Sequence, residues 1–488
     1  MSIKKVLLAG IISLLAFPVF SRDYDASFFG IKPGGKTLNT KSIQFAIDYI
    51  STNGGGRLVF NVGSYLTGTI YLKSSVTIHL EEGSVLLGSL NPFDYERHGF
   101  TAMIFAIDQH NIGLTGKGKL DGQGKYVARN VVTNIEKKLI TDSYKYGRPS
   151  AEIRPMLVNF IRCTDVNIQG ITLENSACWT QTYDQCTRLT IDNITVNCTS
   201  YWNQDGLDIV DCHDVTVTNS FINAADDGIC LKSHDASKFC KNILIRNNKI
   251  RSSANGIKFG TASYGGFEKV RIIDIIVFDT YRSAIALEAV DGGYIDEIEI
   301  DSLQSLNTGN VIFLRTGERV KGKKSRLTNV TISNVVADIP ATKADAGYGY
   351  EGPEEDQPRN ISPAIIITGL ADAEISNIFL KNIHITHPGG GKKEYANVPL
   401  DKLTMIPEIP AKYPDFSMFK ELPSWGIFAR HANSLHFSNI TMICTNKEFR
   451  LPVVLDDVSQ TTFSELKVIQ DSTKKTIYQN NSKEIVVK

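Results

Sequence analysis

The chain reads as an all-β solenoid, a right-handed parallel β-helix, on three observations. A strand motif recurs at coil-sized intervals, a turn residue holds a fixed place in each recurrence, and an amphipathic helix stands ahead of the first coil. The recurrence is clearest in CTDVNIQGITL from Cys163, CTRLTIDNITV from Cys186, CHDVTVTNSFI from Cys212 and CKNILIRNNKI from Cys240. Each segment has an anchor, apolar residues at +3 and +5, and Gly or Asn at +7. The pattern continues at Phe267, Ile295, Leu327, Ile375 and Ala432, and it is detectable at Gln109 and near Val458. From Cys163 to Leu327 the anchors lie 23 to 32 residues apart. Alternation of this kind marks a strand with one buried face. Stacking such strands at ~4.8 Å buries a continuous apolar interior that no single unit could bury alone.

The turn position holds Asn193, Asn219, Asn247, Asn334, Asn382 and Asn439, with Gly170, Asp274 and Ser302 elsewhere. Asn tolerates the left-handed backbone region better than any residue but Gly, so this column predicts one sharp corner repeated in successive coils. The Asn-Ile-Thr triplets at Asn193 and Asn439 fall on the same column and need no glycosylation to explain them. Ahead of the coils, NTKSIQFAIDYIS carries Ile43, Ala46, Ile47 and Ile50 at helical spacing and runs into NGGG. It predicts a helix that stops at glycine and caps the open end of the solenoid. The eight cysteines allow disulfides in an exported protein. Because Cys163, Cys186, Cys212 and Cys240 share one repeat position, a ladder of small buried residues is the favoured reading.

Lys4 and Lys5 precede an apolar run from Val6 to about Phe20. That run is shorter than the ~20 residues a spanning helix needs and has the flanks of a secretory signal. A periplasmic or secreted protein is expected, with cleavage near Ser21 and a single parallel β-helix domain over 22–488, its N-terminal cap covering about 22–100. Two proline-rich insertions, about 340–363 and 387–423, exclude regular strand and decorate the coils as loops that could wall a cleft. With 52 basic against 52 acidic side chains, 42% hydrophobic residues and 21% charged ones, the chain can bury a large core. Its balanced charge argues against a nucleic-acid partner. No metal-ligand spacing or phosphate-binding glycine loop stands out, so neither metal nor cofactor is expected, and a monomer is the expected state.

Chemistry is concentrated after the turn column, where further strands begin at Asp205 (DGLDIV), Asp227 (DGICLK), Asn255 (NGIKFG), Ser283 (SAIALE) and Asn310 (NVIFLR). Stacking places these five residues in one column, with Asp226 one position upstream of Asp227. Asp208, Lys232, Lys258, Glu288 and Arg315 then face outward. A lone Asp-Gly is adequately explained as a turn cap. Three carboxylates on neighbouring rungs repel one another and raise at least one pKa, the condition a general acid needs at neutral pH.

These residues resemble glycoside hydrolase family 28, the polygalacturonase-like and rhamnogalacturonase-like pectinases. The resemblance runs through YLKSSVTIHLEEGSVLLGS, LDGQG, RPMLVNFIRCTDVNIQGITLENSACWT, the Asp motifs and FSMFKELPSWGIFARH. The family's Asn-Thr-Asp motif matches Asn203-Gln204-Asp205, and its Asp-Asp motif matches Asp226-Asp227. The resemblance implies that Asp226 is the general acid and that Asp205 and Asp227 activate water, giving hydrolysis with inversion of a pectic oligo- or polysaccharide. Asn203, Lys232, Asn255, Lys258, Glu288 and Arg315 are the candidate substrate-binding residues.

The chain departs from the family at two places. Ala254-Asn255-Gly256 replaces Gly-His-Gly, and Ala286-Leu287-Glu288 replaces Arg-Ile-Lys. An anion at Glu288 would repel a uronate by about 1–4 kcal/mol. The expectation is therefore a rhamnogalacturonan-type substrate, with exo- or endo-hydrolysis of homogalacturonan as the alternative. Two other readings stay open at this point: a calcium-dependent β-helix lyase, since the Asp cluster could hold calcium, and a carbohydrate-binding β-helix with a dead site.

Overall fold

The computed structural model of the chain describes residues 22–143, 148–342, 344, 362–391, 398–471 and 475–488. The expected signal segment lies outside these residues, as does most of the insertion at 340–363. Among the described residues no helix is long and apolar enough to cross a membrane.

The architecture is a right-handed parallel β-helix. One coil comprises Gln181–Asp184, Thr187–Asp192 and Thr195–Cys198, and the next comprises Leu207–Val210, His213–Thr218 and Phe221–Ala224. Their pairing is parallel and in register: Thr182 meets Asp208, Leu189 meets Val215 and Val196 meets Ile222. Later coils keep this register while their strands merge, as in Gly266–Ala289 against Tyr294–Thr316. The only antiparallel strand pair among the described residues joins Glu96–His98 to Phe100–Ile107. Regular stacking already begins at Gly56–Phe60, which pairs with Val76–Leu80, so the cap is shorter than the expected 22–100. Helix α1, Thr40–Thr52, buries Ile43, Ala46, Ile47 and Ile50 over that end.

Every member of the predicted turn column has positive φ, from 52° at Asn193 to 77° at Gly170. The Asn side chains also bond along the stack, Asn247 Nδ2 to Asn219 Oδ1 at 2.7 Å and Asn439 Nδ2 to Asn382 Oδ1 at 3.0 Å. A second left-handed column occupies the +2 position after each anchor: Asp165, Arg188, Asp214, Asn242, Lys269, Glu297, Asn329 and Asn377. Its residue types are too varied to have announced it. A second helix, α2 (Gly124–Glu136), was also not anticipated, although Val127, Ala128 and Val131 have helical spacing and are buried.

One sheet face carries the expected site column. Along it the outward positions Asn159, Thr182, Asp208, Cys230 and Lys258 are followed by Ala286, Phe313, Ile366, Phe428 and Val454. The column thus changes from polar to apolar between Lys258 and Ala286. The second insertion covers the apolar half: Leu403, Ile406, Phe416, Met418, Phe419 and Leu422 pack on Ala286, Phe313, Ile366, Phe428 and Val454. Burying each large side chain contributes about 1.5–3 kcal/mol, which fixes this segment as a strap over the sheet.

All eight cysteines are free and buried. Cys163, Cys186, Cys212 and Cys240 form the expected ladder, with thiols directed at carbonyls of the preceding coil, as Cys212 Sγ to Tyr183 O at 3.1 Å. Thiol titration of the native protein should therefore detect no reactive group on the minute timescale and eight after denaturation. Fewer than eight in non-reducing denaturant would reveal a disulfide.

Candidate active site

The site column forms as a hydrogen-bonded ladder. Asn255 donates to Asp227 Oδ1 from both its backbone N (3.1 Å) and its Nδ2 (2.7 Å). Ser283 N then donates to Asn255 Oδ1, and Ser283 Oγ to Asn310 Oδ1. Each residue below Gly in this column meets the next coil through backbone bonds: Gly206 N reaches Asp227 O and Gly228 N reaches Asn255 O. The glycines serve close approach. A Cβ at Gly228 would lie 2.6 Å from Gly256 O and 2.4 Å from Ile250 Cγ2. The Asp-Gly pairs are therefore strand entries, and their carboxylates are delivered to the outer face of the sheet.

Asp205, Asp226 and Asp227 come together there with Asp208. Asp205 and Asp227 are buried, whereas Asp226 is partly open to solvent. Lys232 Nζ lies 3.2 Å from Asp205 Oδ2, is paired with Asp208 Oδ1, and sits 4.3 Å over the Trp179 ring. Lys258 Nζ lies 3.1 Å from Asp227 Oδ2, 2.6 Å from the Tyr413 hydroxyl and 3.8 Å from Glu288 Oε2. Asn203 donates to Asp226 Oδ2 at 3.3 Å and is held by Arg154, whose Nη2 reaches its Oδ1 at 2.8 Å.

Electrostatics separate the carboxylates. Burial and the neighbouring Asp227 push Asp226 up. Burial and Asp208 push Asp205 well up, and burial brings Asp208 to about 6 against the pull of Lys232. Asp227 is also buried, but Lys258, Lys232, Arg282 and the Asn255 amide hold it below its ordinary value. Both ammonium groups are pushed well up despite burial, Lys232 chiefly by Asp208 and Lys258 chiefly by Asp227. The arrangement sets a carboxylate held below its ordinary value at Asp227 beside a raised, partly exposed one at Asp226.

Asp205, Asp227 and Cys230 offer ligand atoms within 4.8 Å of one another. The Cys230 thiol is held protonated by burial and donates to Gly260 O. Lys232 and Lys258 already bring positive charge to both carboxylates, so this donor set is poorly matched to a cation.

Three expected substrate ligands are placed differently. Lys258, Glu288 and Arg315 are about 1% exposed or less. Arg315 gives its Nη2 to Glu408 O at 2.7 Å and stacks 5.2 Å from Phe419, both on the strap, so its donors are taken by the protein. Glu288 has no hydrogen-bond partner for either oxygen among the described residues, and burial raises it to about 8. An uncharged, covered Glu288 cannot repel a uronate, which removes the electrostatic ground for excluding homogalacturonan. Asn255, standing where the family has His, holds Asp227 rather than Asp226. Tyr413, Trp179, Arg148, Arg154 and Arg282 were not singled out from the sequence. Arg154 and Trp179 do lie in the stretch RPMLVNFIRCTDVNIQGITLENSACWT, but only the fold shows that its two ends meet at Asn203.

With this geometry in hand, the comparisons are specific. Residues 58–289 match the model of glycosyl hydrolases family 28, a span that holds all three site carboxylates. Over that span, just under half of its length, the chain is similar to that family. It is 26% identical over 318 residues to a probable polygalacturonase of Vitis vinifera, covering 59% of this chain and 62% of the relative. It is 30% identical over 218 residues to an exopolygalacturonase of Zea mays, covering 43% and 48%. The chain thus spans about half to three fifths of the length of these curated relatives. Among solved structures, the family 28 exopolygalacturonase of Yersinia enterocolitica superposes with a TM-score of 0.66 at 18% identity, covering 95% of this chain and 78% of that one. That likeness is one of fold.

The buried Glu288 gives a stability test. Its folded pKa, about 8, exceeds its ordinary 4.5. Its contribution is therefore fully favourable below pH 4.5, and is lost progressively as pH rises to 8. Glu288→Gln should gain thermal stability relative to the parent across that window, by a few degrees in Tm, and level off above it. A difference that stays constant with pH would show that Glu288 is ionised throughout.

Proposed function

We propose that this protein is a family 28 glycoside hydrolase that cleaves α-linked galacturonic acid bonds in pectic polysaccharide by acid/base hydrolysis with inversion. The observation that carries the reading is the meeting of Asp226 and Asp227 on one sheet face, the first raised by burial and partly exposed, the second held down by its Lys258 contact. Asp226, raised and partly exposed, is suited to protonate the leaving glycosidic oxygen. Asp227, held ionised by Lys258, is suited to take a proton from water, with Asp205 beside it on the preceding coil. Asn203, fixed by Arg154, orients the acid.

Polygalacturonase action is the favoured form. The relatives named above carry polygalacturonase or exopolygalacturonase names, and the neutral, covered Glu288 leaves the rhamnogalacturonan preference without support. The strap over the apolar half of the sheet face favours attack at a chain end, because a polymer cannot lie across coils already occupied by Phe416 and Phe419. Export through the N-terminal signal segment fits a polymeric substrate, and sequencing of the mature N-terminus should begin near Ser21.

The test is reducing-sugar release from homogalacturonan and rhamnogalacturonan side by side. Homogalacturonan should be cleaved, with mono- or digalacturonate as the early product and the β-anomer formed first, as seen by NMR. A product of retained configuration, or an unsaturated one, would overturn the mechanism. Asp226→Asn should lower kcat by roughly a hundredfold to ten-thousandfold. The alkaline limb of the pH profile should disappear with it, because activity falls as Asp226 loses its proton. Binding without release by the parent protein would indicate a lectin-like role.

A further inference from the structure

Beside the carboxylates lies a cleft of about 320 Å³ lined by Arg148, Arg154, Ser150, Glu152, Trp179 and Asn203. It is at the small end of the size range of ligand pockets, and it adjoins Asp226 through Asn203. Its two arginines differ in what they do. Arg154 is buried and spends its donors on Ala177 O, Trp202 O and Asn203 Oδ1. Arg148 lies half-buried, with its guanidinium 4.3 Å above the Trp202 ring. Among the described residues no carboxylate or carbonyl accepts a hydrogen bond from Arg148.

Exposed Arg22 and Arg246 share that lack of a partner, but several other arginines are paired. Arg57, Arg162 and Arg188, all more exposed, each bind an aspartate through two nitrogens, Asp23, Asp108 and Asp165. A guanidinium held by stacking, with its fork open and part of its hydration removed, is a receptor for a planar anion. Glu152 shares the lining but pairs with neither arginine, and two cations against one carboxylate leave the cleft net positive. Trp179, covered by Lys232 and packed on Phe100, forms a fixed wall of the cleft.

We infer that this cleft is a uronate subsite in which Arg148 binds the carboxylate of a galacturonate residue next to the scissile bond. The inference rests on the pectic reading above and names the cation that recognises its substrate. It also accounts for the position of the Arg-Ile-Lys motif being given up to Ala286-Leu287-Glu288. Those positions are under the strap, and uronate recognition has moved to the opposite side of the carboxylate cluster.

The test is calorimetric binding of trigalacturonate and of its carboxyl-reduced, neutral counterpart to the Asp226→Asn protein. Adding Arg148→Gln should weaken the acidic trimer by about tenfold to a hundredfold relative to the neutral one, and Arg148→Lys should recover part of that loss. Equal losses on both trimers, no loss on either, or no binding of the acidic trimer to the Asp226→Asn protein would overturn the subsite. Assays of the parent protein separate the two readings. Selective binding through Arg148 without hydrolysis would sink the catalytic proposal alone. Hydrolysis of homogalacturonan that is indifferent to Arg148→Gln would sink the subsite alone.

Discussion

The constraint on which this molecule depends is in-register stacking of parallel coils. Each strand bonds to the same position of the next coil, so a residue type repeated at one place in the sequence becomes a column in space. The left-handed corner makes this possible. Asn193, Asn219 and Asn247 turn the chain at the same point, and the amides of Asn219 and Asn247 bond along the stack instead of competing with the strand ladders. Once the corners are fixed, inward positions bury Val, Ile, Leu and the cysteine ladder, and outward positions are free to vary.

Stacking also concentrates charge. A side chain on one rung faces its equivalents about 4.8 Å away, so Asp205, Asp208, Asp226 and Asp227 cannot avoid one another. Lys232 and Lys258 answer them from the same sheet face, but two ammonium groups do not neutralise four carboxylates. Arg282 acts on Asp226 and Asp227 as well. Burial and mutual repulsion raise Asp205, Asp208 and Asp226, even though Lys232 touches the first two. Asp227, touched by Lys258 and the Asn255 amide, is held below its ordinary value, whereas Asp226, with the Asn203 amide on its outer oxygen, is raised. The difference between Asp226 and Asp227 thus follows from the Lys258 and Asn255 contacts to Asp227, with the fold supplying the proximity.

What the sequence discloses follows from the same geometry. The turn column was legible because only Asn, Gly, Asp and Ser occupy it, and the capping helix because Ile43, Ala46, Ile47 and Ile50 fall on one stripe. The carboxylate column was legible because Asp205 and Asp227 share a place in the repeat. The second left-handed column was not, since Arg188, Lys269 and Glu297 carry no turn signature. Contacts across insertions were also beyond reach. Tyr413 meets Lys258 from a segment 155 positions away, and Arg148 comes to the Asn203 side from the connection after α2. No periodicity joins such residues, because each lies in a stretch with no counterpart in other coils.

The replacement of Arg and Lys by Ala286 and Glu288 shows why a motif read alone can mislead. As isolated letters they look like a change of substrate charge. In the column they mark the rung where the outward face turns apolar: Ala286 begins a run continued by Phe313, Ile366, Phe428 and Val454, all under the strap. A cation retained at 286 would have been buried against Phe416 and Met418 with no partner, at a desolvation cost of several kcal/mol. Losing it is the condition for the strap to pack. The strap in turn holds Tyr413 against Lys258, and Lys258 against Asp227. Covering half of the sheet face and holding Lys258 against Asp227 are two consequences of one packing arrangement, which ties the length of the open groove to the electrostatics at its end.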